Sequence, residues 1–211
     1  DGFRKMISNL LIANSFFEIQ NNSLVPEKTT KFDLHKKIKP VKLLNPLSKD
    51  LSVLRTSMIH GMLTSISYNL NRQISDMKFF EFGNTYGIDE NKRFIETEKI
   101  HIGITGNYRQ KNWNDREKKS DIFVVKGIVE MLLVRCGLIM DDINVQPNKS
   151  TDSNFFYVLR NGAKIAEFGQ YPKEILLSYG IKKEVFFANI SVPHLHEIFL
   201  SKYVKYAPVS K

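Results

Sequence analysis

Cysteine is nearly missing from this chain. Cys136 is the only one, so no internal disulfide can form, and a reducing compartment suits it. It sits in a helical apolar pattern, where a thiol packs rather than reacts. No apolar run approaches the ~20 residues that a membrane helix requires. A signal peptide is not expected either: Arg4 and Lys5 precede too short an apolar segment, with no small-residue cleavage site. There is no Walker-type phosphate loop and no GxGxxG; Gly83, Gly87, Gly162 and Gly169 suit strand ends and turns. Ser52, Ser57 and Ser65 lack the strand–serine–helix setting of a nucleophile elbow. Of five histidines, His194 and His196 are spaced to chelate on an extended segment. Only Glu197 is a nearby carboxylate, and no metal site is expected. No arginine follows Arg160.

What remains is an ordinary globular composition: 211 residues, 42% hydrophobic and 25% charged, enough for one core. The net charge of +9 favours an acidic partner such as RNA. It fits a solvated basic surface equally well, because the lysines are scattered. Stacking aromatics do not cluster with them, so RNA binding is expected to be weak and nonspecific. The chain starts at Asp1-Gly2 and ends on Pro208-Val209-Ser210-Lys211, which reads as strand entry. The expectation is one domain over 1–211, excised from a longer chain.

Residues 2–11 read as a strand with Phe3, Ile7 and Leu10 inward, and 13–20 as a short helix carrying Phe16 and Phe17. Residues 21–40 read as a connecting loop. Residues 41–44 form an apolar run closed by Asn45-Pro46, expected to be a strand. Over 56–72 Ile59, Met62, Leu63, Ile66 and Leu70 share one helical face. Gly61 lies inside that helix, where glycine costs up to ~1 kcal/mol, so another backbone is expected to approach closely. Residues 77–86 and 99–107 read as two strands joined by a charged loop. In the second strand His101, Gly103 and Thr105 alternate with Ile100, Ile102 and Ile104, giving one apolar and one polar face.

Residues 108–119 read as a polar loop holding Trp113. Ser120 is placed to cap a helix over 121–136, with Gly137 ending it and Val125, Ile128, Val129, Leu132 and Leu133 buried. A short strand is expected over 143–146. Residues 155–160 and 163–168 form a hairpin around Asn161-Gly162, which suits a type I′ turn. Pro172 opens a short helix that Gly180 ends. A strand over 184–192 and a helical turn or two over 193–199 complete the chain. Adjacent strand pairs with inserted helices predict α+β architecture, an antiparallel sheet flanked by helices.

Two residues stand out chemically. Glu81 is flanked by aromatics in Phe79-Phe80-Glu81-Phe82-Gly83. A pKa-shifted acid is one reading; an edge- or solvent-facing glutamate on a strand's polar side is the favoured one. Arg55 is expected to be a structural anchor bridging a loop carbonyl and a carboxylate.

The stretch NPLSKDLSVLRTSMIHGMLTSISYNLNR, followed after a short spacer by FFEFGNTY, resembles the β subunits of bacterial phenylalanyl-tRNA synthetases, in the part called the catalytic-like domain. Asn112-Trp113-Asn114 and VVKGIVEMLL at 124–133 match as well. The resemblance implies a class II synthetase fold. Gly2-Phe3-Arg4-Lys5-Met6 looks like the first signature's helix-to-strand junction, without its proline. Residues 77–86 with 99–107 look like the second, but Phe82-Gly83-Asn84-Thr85 supplies no arginine and Glu81 is a relic. Residues 168–174 look like GELHPE of the third, and residues 151–156 replace the family's HPGRSA.

Adenylate formation needs fixed cations against the ATP phosphates. The resemblance therefore implies an inactive scaffold, with no catalytic, cofactor or metal residues of its own. Glu81, Arg55, Gly83 and Gly169 are the vestigial or structural set. Phe3, Ile7, Met58, Gly61 and Met62 are the candidate interface, on an apolar patch spread over 2–11 and 56–72. The implied partner is the catalytic α subunit in a cytoplasmic (αβ)₂ assembly that uses ATP and Mg to charge tRNA-Phe. Two other readings stand beside it: a free-standing class II paralogue that activates an amino acid, and an RNA-binding module.

Overall fold

The computed structural model describes residues 2–32, 38–148 and 155–201. It opens with a helix, not the strand expected over 2–11. Helix α1 (Gly2–Ala13) forms because Phe3, Met6, Ile7, Leu10 and Leu11 recur at three- and four-residue steps, with Ile7 and Leu11 buried. The helix expected over 13–20 is a turn and a strand. Ser15 takes the left-handed conformation at φ 65°, and the chain then extends into β1 (Phe17–Glu18). Phe16 is buried at the turn, while Phe17 (67%) and Glu18 on β1 are exposed. The junction from helix to aromatic thus lies at Ser15-Phe16 rather than at Gly2-Phe3.

The expected connecting loop holds structure: β2 (Leu24–Val25) and a 3-10 turn, Glu27–Phe32. His35 lies outside the described residues. The strand expected over 41–44 is reduced to one antiparallel bridge, Lys42 to Val53, and Leu44 is 98% exposed. β3 (Val53–Leu54) pairs with β2 on its other side. Helix α2 (Ile59–Leu70) buries the expected face, Ile59, Met62, Leu63 and Ile66.

β4 (Met77–Ile88) and β5 (Phe94–Thr105) are longer than expected and pair antiparallel along their whole length. Asp89 closes their turn by accepting from the Arg93 backbone N–H (2.8 Å). The polar loop over 108–119 is a small hairpin, β6 (Asn107–Arg109) with β7 (Lys118–Lys119). In α3 (Ile122–Cys136) the cap is Asp121, whose carboxylate accepts from Val124 N–H (2.7 Å); Ser120 sits one residue too early. Gly137 ends the helix at φ 100°, and the expected stripe is buried.

β8 (Asn144–Pro147) is followed by the hairpin β9 (Phe155–Arg160) and β10 (Ala163–Gln170), where Asn161 and Gly162 both take positive φ, 50° and 79°. α4 (Lys173–Ser178), β11 (Val185–Ser191) and α5 (Val192–Ser201) complete the described chain. Residues 151–154 and 208–211, singled out in the sequence, lie outside the described residues.

Seven strands form one sheet in the order β1-β4-β5-β11-β10-β9-β8, antiparallel throughout except β1 against β4. One face, with Phe80, Ile100, Ile102, Ile104, Phe168 and Ala188, packs with residues of α1, α3 and α5. The opposite face, with Phe79, Phe155 and Phe187, packs with α2 and Leu176 of α4. No helix among the described residues is long and apolar enough to cross a membrane.

Candidate functional site

Strand register assembles the site. Glu81 lies opposite His101, His101 opposite Asn189, Asn189 opposite Glu167, and Glu167 opposite Tyr157. Directly paired residues share a face, so five strands contribute one polar row on the α2 side of the sheet. The adjoining row is Phe79, Gly103, Phe187, Gly169 and Phe155. Gly103 leaves room there for Met62: a Cβ at 103 would stand 2.6 Å from its sulfur. Gly169 sits between Phe187 and Phe155 in the same row.

Glu81 is fully buried, which corrects the solvent-facing reading. Its Oε1 accepts from Arg55 Nη1 (2.7 Å) and from the Asn21 backbone N–H (3.2 Å), and its Oε2 accepts from Asn21 Nδ2 (2.7 Å). Arg55 is 4% exposed and also donates from Nε to the Asn84 carbonyl (2.9 Å). Burying either charge alone costs several kcal/mol, and the paired geometry offsets it. Two glycines make the arrangement possible. A Cβ at Gly83 would collide with Arg55 Nη2, and one at Gly61 would lie 2.7 Å from Asn21 Cβ. The close neighbour of Gly61 is therefore the Asn21 side chain, which also accepts from Ser65 Oγ (3.0 Å).

His101 is fully buried between Tyr171 and Asn189. Its Nε2 accepts from the Tyr171 hydroxyl (2.7 Å) and its Nδ1 donates to Asn189 Oδ1. That tautomer follows from Asn189, whose Nδ2 donates onward to Glu167 Oε1 (2.9 Å). Burial pulls the His101 pKa down to about 4, outweighing the carboxylates of Glu81 and Glu167. Burial likewise pushes Tyr171 well above its ordinary value. Lys164 Nζ reaches Glu167 Oε2 (3.2 Å) at the far end. The row orients and neutralises its own members, and its one buried guanidinium is already held by Glu81.

The proposed interface residues are placed differently from the sequence expectation. Ile7, Met58 and Met62 are buried inside this chain, so they line no surface. Phe3 packs against His196 and Phe199, and Gly61 abuts Asn21. The exposed apolar side chains at this end are Ile12 (53%) and Phe17 (67%), at the end of α1 and on the edge strand β1. His194 and His196 ride on helix α5, where residues two apart point away from each other. His194 bonds Ser191 Oγ (2.7 Å) instead.

Sequence reasoning missed Asn21, His101, Asn189, Glu167 and Tyr171. A signal was present: four strands set a polar residue directly between two apolar ones, in Phe80-Glu81-Phe82, Ile100-His101-Ile102, Ala166-Glu167-Phe168 and Ala188-Asn189-Ile190.

A family model described as the phenylalanyl tRNA synthetase beta chain CLM domain matches residues 2–192. The chain belongs to this family. Curated relatives named phenylalanine–tRNA ligase beta subunit agree. One from Bacteroides thetaiotaomicron is 33% identical over 99% of this chain and 27% of its own length. One from Bacillus subtilis is 31% identical over 76% of this chain and 20% of its own. The chain thus spans about a quarter of the length of such relatives. In solved structures, a pyrrolysyl tRNA synthetase from Desulfitobacterium hafniense shares the fold, with TM-score 0.72 at 13% identity. That alignment covers 95% of this chain and 66% of the other. The class II fold expected from the resemblance is the fold observed: a mostly antiparallel sheet flanked by helices.

Proposed function

We propose that this chain is the inactive, synthetase-like scaffold of a phenylalanine–tRNA ligase β subunit, paired with a catalytic α subunit. The observation that carries this reading is the buried Arg55–Glu81 pair. The guanidinium at the polar row is 4% exposed and bonded to a carboxylate and a carbonyl, so it has no free face for a triphosphate. Phe82-Gly83-Asn84-Thr85 adds no cation there. ATP and Mg then belong to the whole assembly, and tRNA-Phe is engaged through it, in the cytoplasm. The edge strand β1 with Phe17 and Ile12 is the surface this reading assigns to α, because a sheet edge and two exposed apolar side chains lie together there.

The test is ATP–pyrophosphate exchange with phenylalanine, by the chain alone and with an α subunit, alongside copurification of the two. Silence alone and copurification that Phe17→Lys abolishes would support the scaffold. Exchange by the isolated chain would establish the free-standing enzyme instead.

A further inference from the structure

The β6–β7 hairpin takes no part in the polar row, yet it carries the most exposed aromatic side chain among the described residues. Trp113, the chain's only tryptophan, is 96% exposed. The turn beneath it is closed. Asn112 N–H donates to the Asp115 carbonyl (3.1 Å), and Asn112 Oδ1 accepts from the backbone N–H groups of Asn114 (2.9 Å) and Asp115 (2.7 Å). Arg109 pairs with Asp115 across the hairpin (3.2 Å). The indole is thus held out in water by a defined turn.

The surroundings are cationic. Arg109, Lys111, Arg116, Lys118 and Lys119 face only Asp115 and Glu117 as acids in the hairpin sequence. Two clefts flank its base. One, of about 490 Å³, has Lys78 and Arg109 in its wall; the other, of about 450 Å³, has Lys119, Lys182 and Lys183. Asp76 stands in both walls, and Glu117 and Glu184 in the second, so the cationic excess lies on the hairpin itself; Asp76 accepts from Asn107 N–H (2.9 Å) and Glu184 from Gln170 (3.0 Å). Trp113 is a single exception to the sequence expectation that stacking aromatics stand apart from the lysines.

We propose that the hairpin is a binding surface for single-stranded nucleic acid. Trp113 stacks on an unpaired base while Arg109, Lys119, Lys182 and Lys183 in the flanking clefts, with Lys118 on β7, contact the phosphates. Every base has a π face, so such a platform is tolerant of sequence, and paired bases in a duplex do not offer that face. A protein hot spot is the poorer fit, since tryptophan anchors sit in apolar patches depleted of charge. Trp113 has asparagine on both sides and charged residues beyond. The inference stands on the hairpin alone and does not depend on pairing with an α subunit.

A sole tryptophan makes the test direct. Emission of the 211-residue chain is followed as an oligouridine, an oligothymidine and an RNA duplex are added. The expected result is quenching by both single strands and not by the duplex. Affinity should fall roughly tenfold between ~50 and ~200 mM salt for a few phosphate contacts. Trp113→Ala should weaken binding roughly tenfold, measured by anisotropy of labelled oligomer, whereas Trp113→Phe retains most of it. Lys118→Glu with Lys119→Glu should flatten the salt dependence. Equal binding of duplex and single strands, untouched by Trp113→Ala, would reduce the surface to simple charge attraction and overturn the proposal. So would the absence of quenching at low salt. Loss of α-subunit copurification in Trp113→Ala, with oligomer binding unchanged, would reassign the indole to a protein contact.

Discussion

The Arg55 guanidinium fills the volume that a side chain at position 83 would need. A glycine inside a central strand is thereby tied to a charge pair formed with a residue two positions earlier, Glu81. Gly83→Ala should push Arg55 off Glu81 and cost about 3 kcal/mol, the scale of a broken buried pair. Glu81→Gln should cost about as much, because it leaves the guanidinium buried without a counter-charge. Combining Arg55→Met with Glu81→Met should lose less than the sum of the two single changes, with a coupling of about 2 kcal/mol. Urea denaturation of the four corners measures this; additive losses would mean that the pair does not act as a unit.

Ser15 holds φ 65° at the junction of α1 and β1, and its side chain is exposed. A left-handed backbone costs a non-glycine residue about 1–2 kcal/mol. Ser15→Gly removes that strain but adds freedom to the unfolded chain, so the net gain should be about 1 kcal/mol. A melting temperature that rises by a few degrees is the expected outcome. A fall would show that the turn depends on the serine for something other than its dihedral.

Local signals announce most of the elements. Asn161-Gly162 announces its own turn, and α3 shows its stripe and its terminal glycine within one window. The misreadings have two causes. Phe3, Ile7 and Leu10 stand at steps of four and three, a helical spacing legible locally; the others are non-local. Asn21 fell in a polar stretch that looked like a connection, yet its partner Glu81 is sixty residues away. The polar row is invisible locally because β5 pairs with β11 across the whole second half of the chain: His101 and Asn189 are separated by 88 positions. A polar residue set between two apolar ones in each of four strands is the trace such pairing leaves.

Ser120 and Asp121 make a contrasting pair at the start of α3. Asp121 caps the helix, so Asp121→Ala should cost about 1 kcal/mol. Ser120 Oγ is buried and has no hydrogen-bond partner among the described residues. An unmet buried hydroxyl is unfavourable, so Ser120→Ala should leave stability unchanged or raise it by up to about 1 kcal/mol. If instead Ser120→Ala proves the costlier of the two, the cap has been assigned to the wrong residue.

The pH dependence turns on His101. In the folded chain its pKa is pulled down to about 4, while an unfolded histidine titrates near 6.5. Between those values the unfolded chain binds the extra proton and the folded chain does not. The contribution to stability is therefore complete above pH 6.5 and is lost as the pH falls toward 4. The gap corresponds to about 3 kcal/mol. Asn189, Tyr171, Phe187, Glu81, Glu167 and Lys99 surround the ring, and the two carboxylates would welcome an imidazolium. Burial outweighs them because Glu81 is already neutralised by Arg55 and Glu167 by Lys164. Carboxylates elsewhere also titrate near pH 4, so the comparison that isolates the ring is His101→Gln. That variant keeps a donor and an acceptor but no titration, and its stability should decline less steeply between pH 6.5 and pH 4. Equal slopes in the two proteins would mean that His101 carries its proton in the folded chain, with its Nε2–H donating to the Tyr171 hydroxyl oxygen.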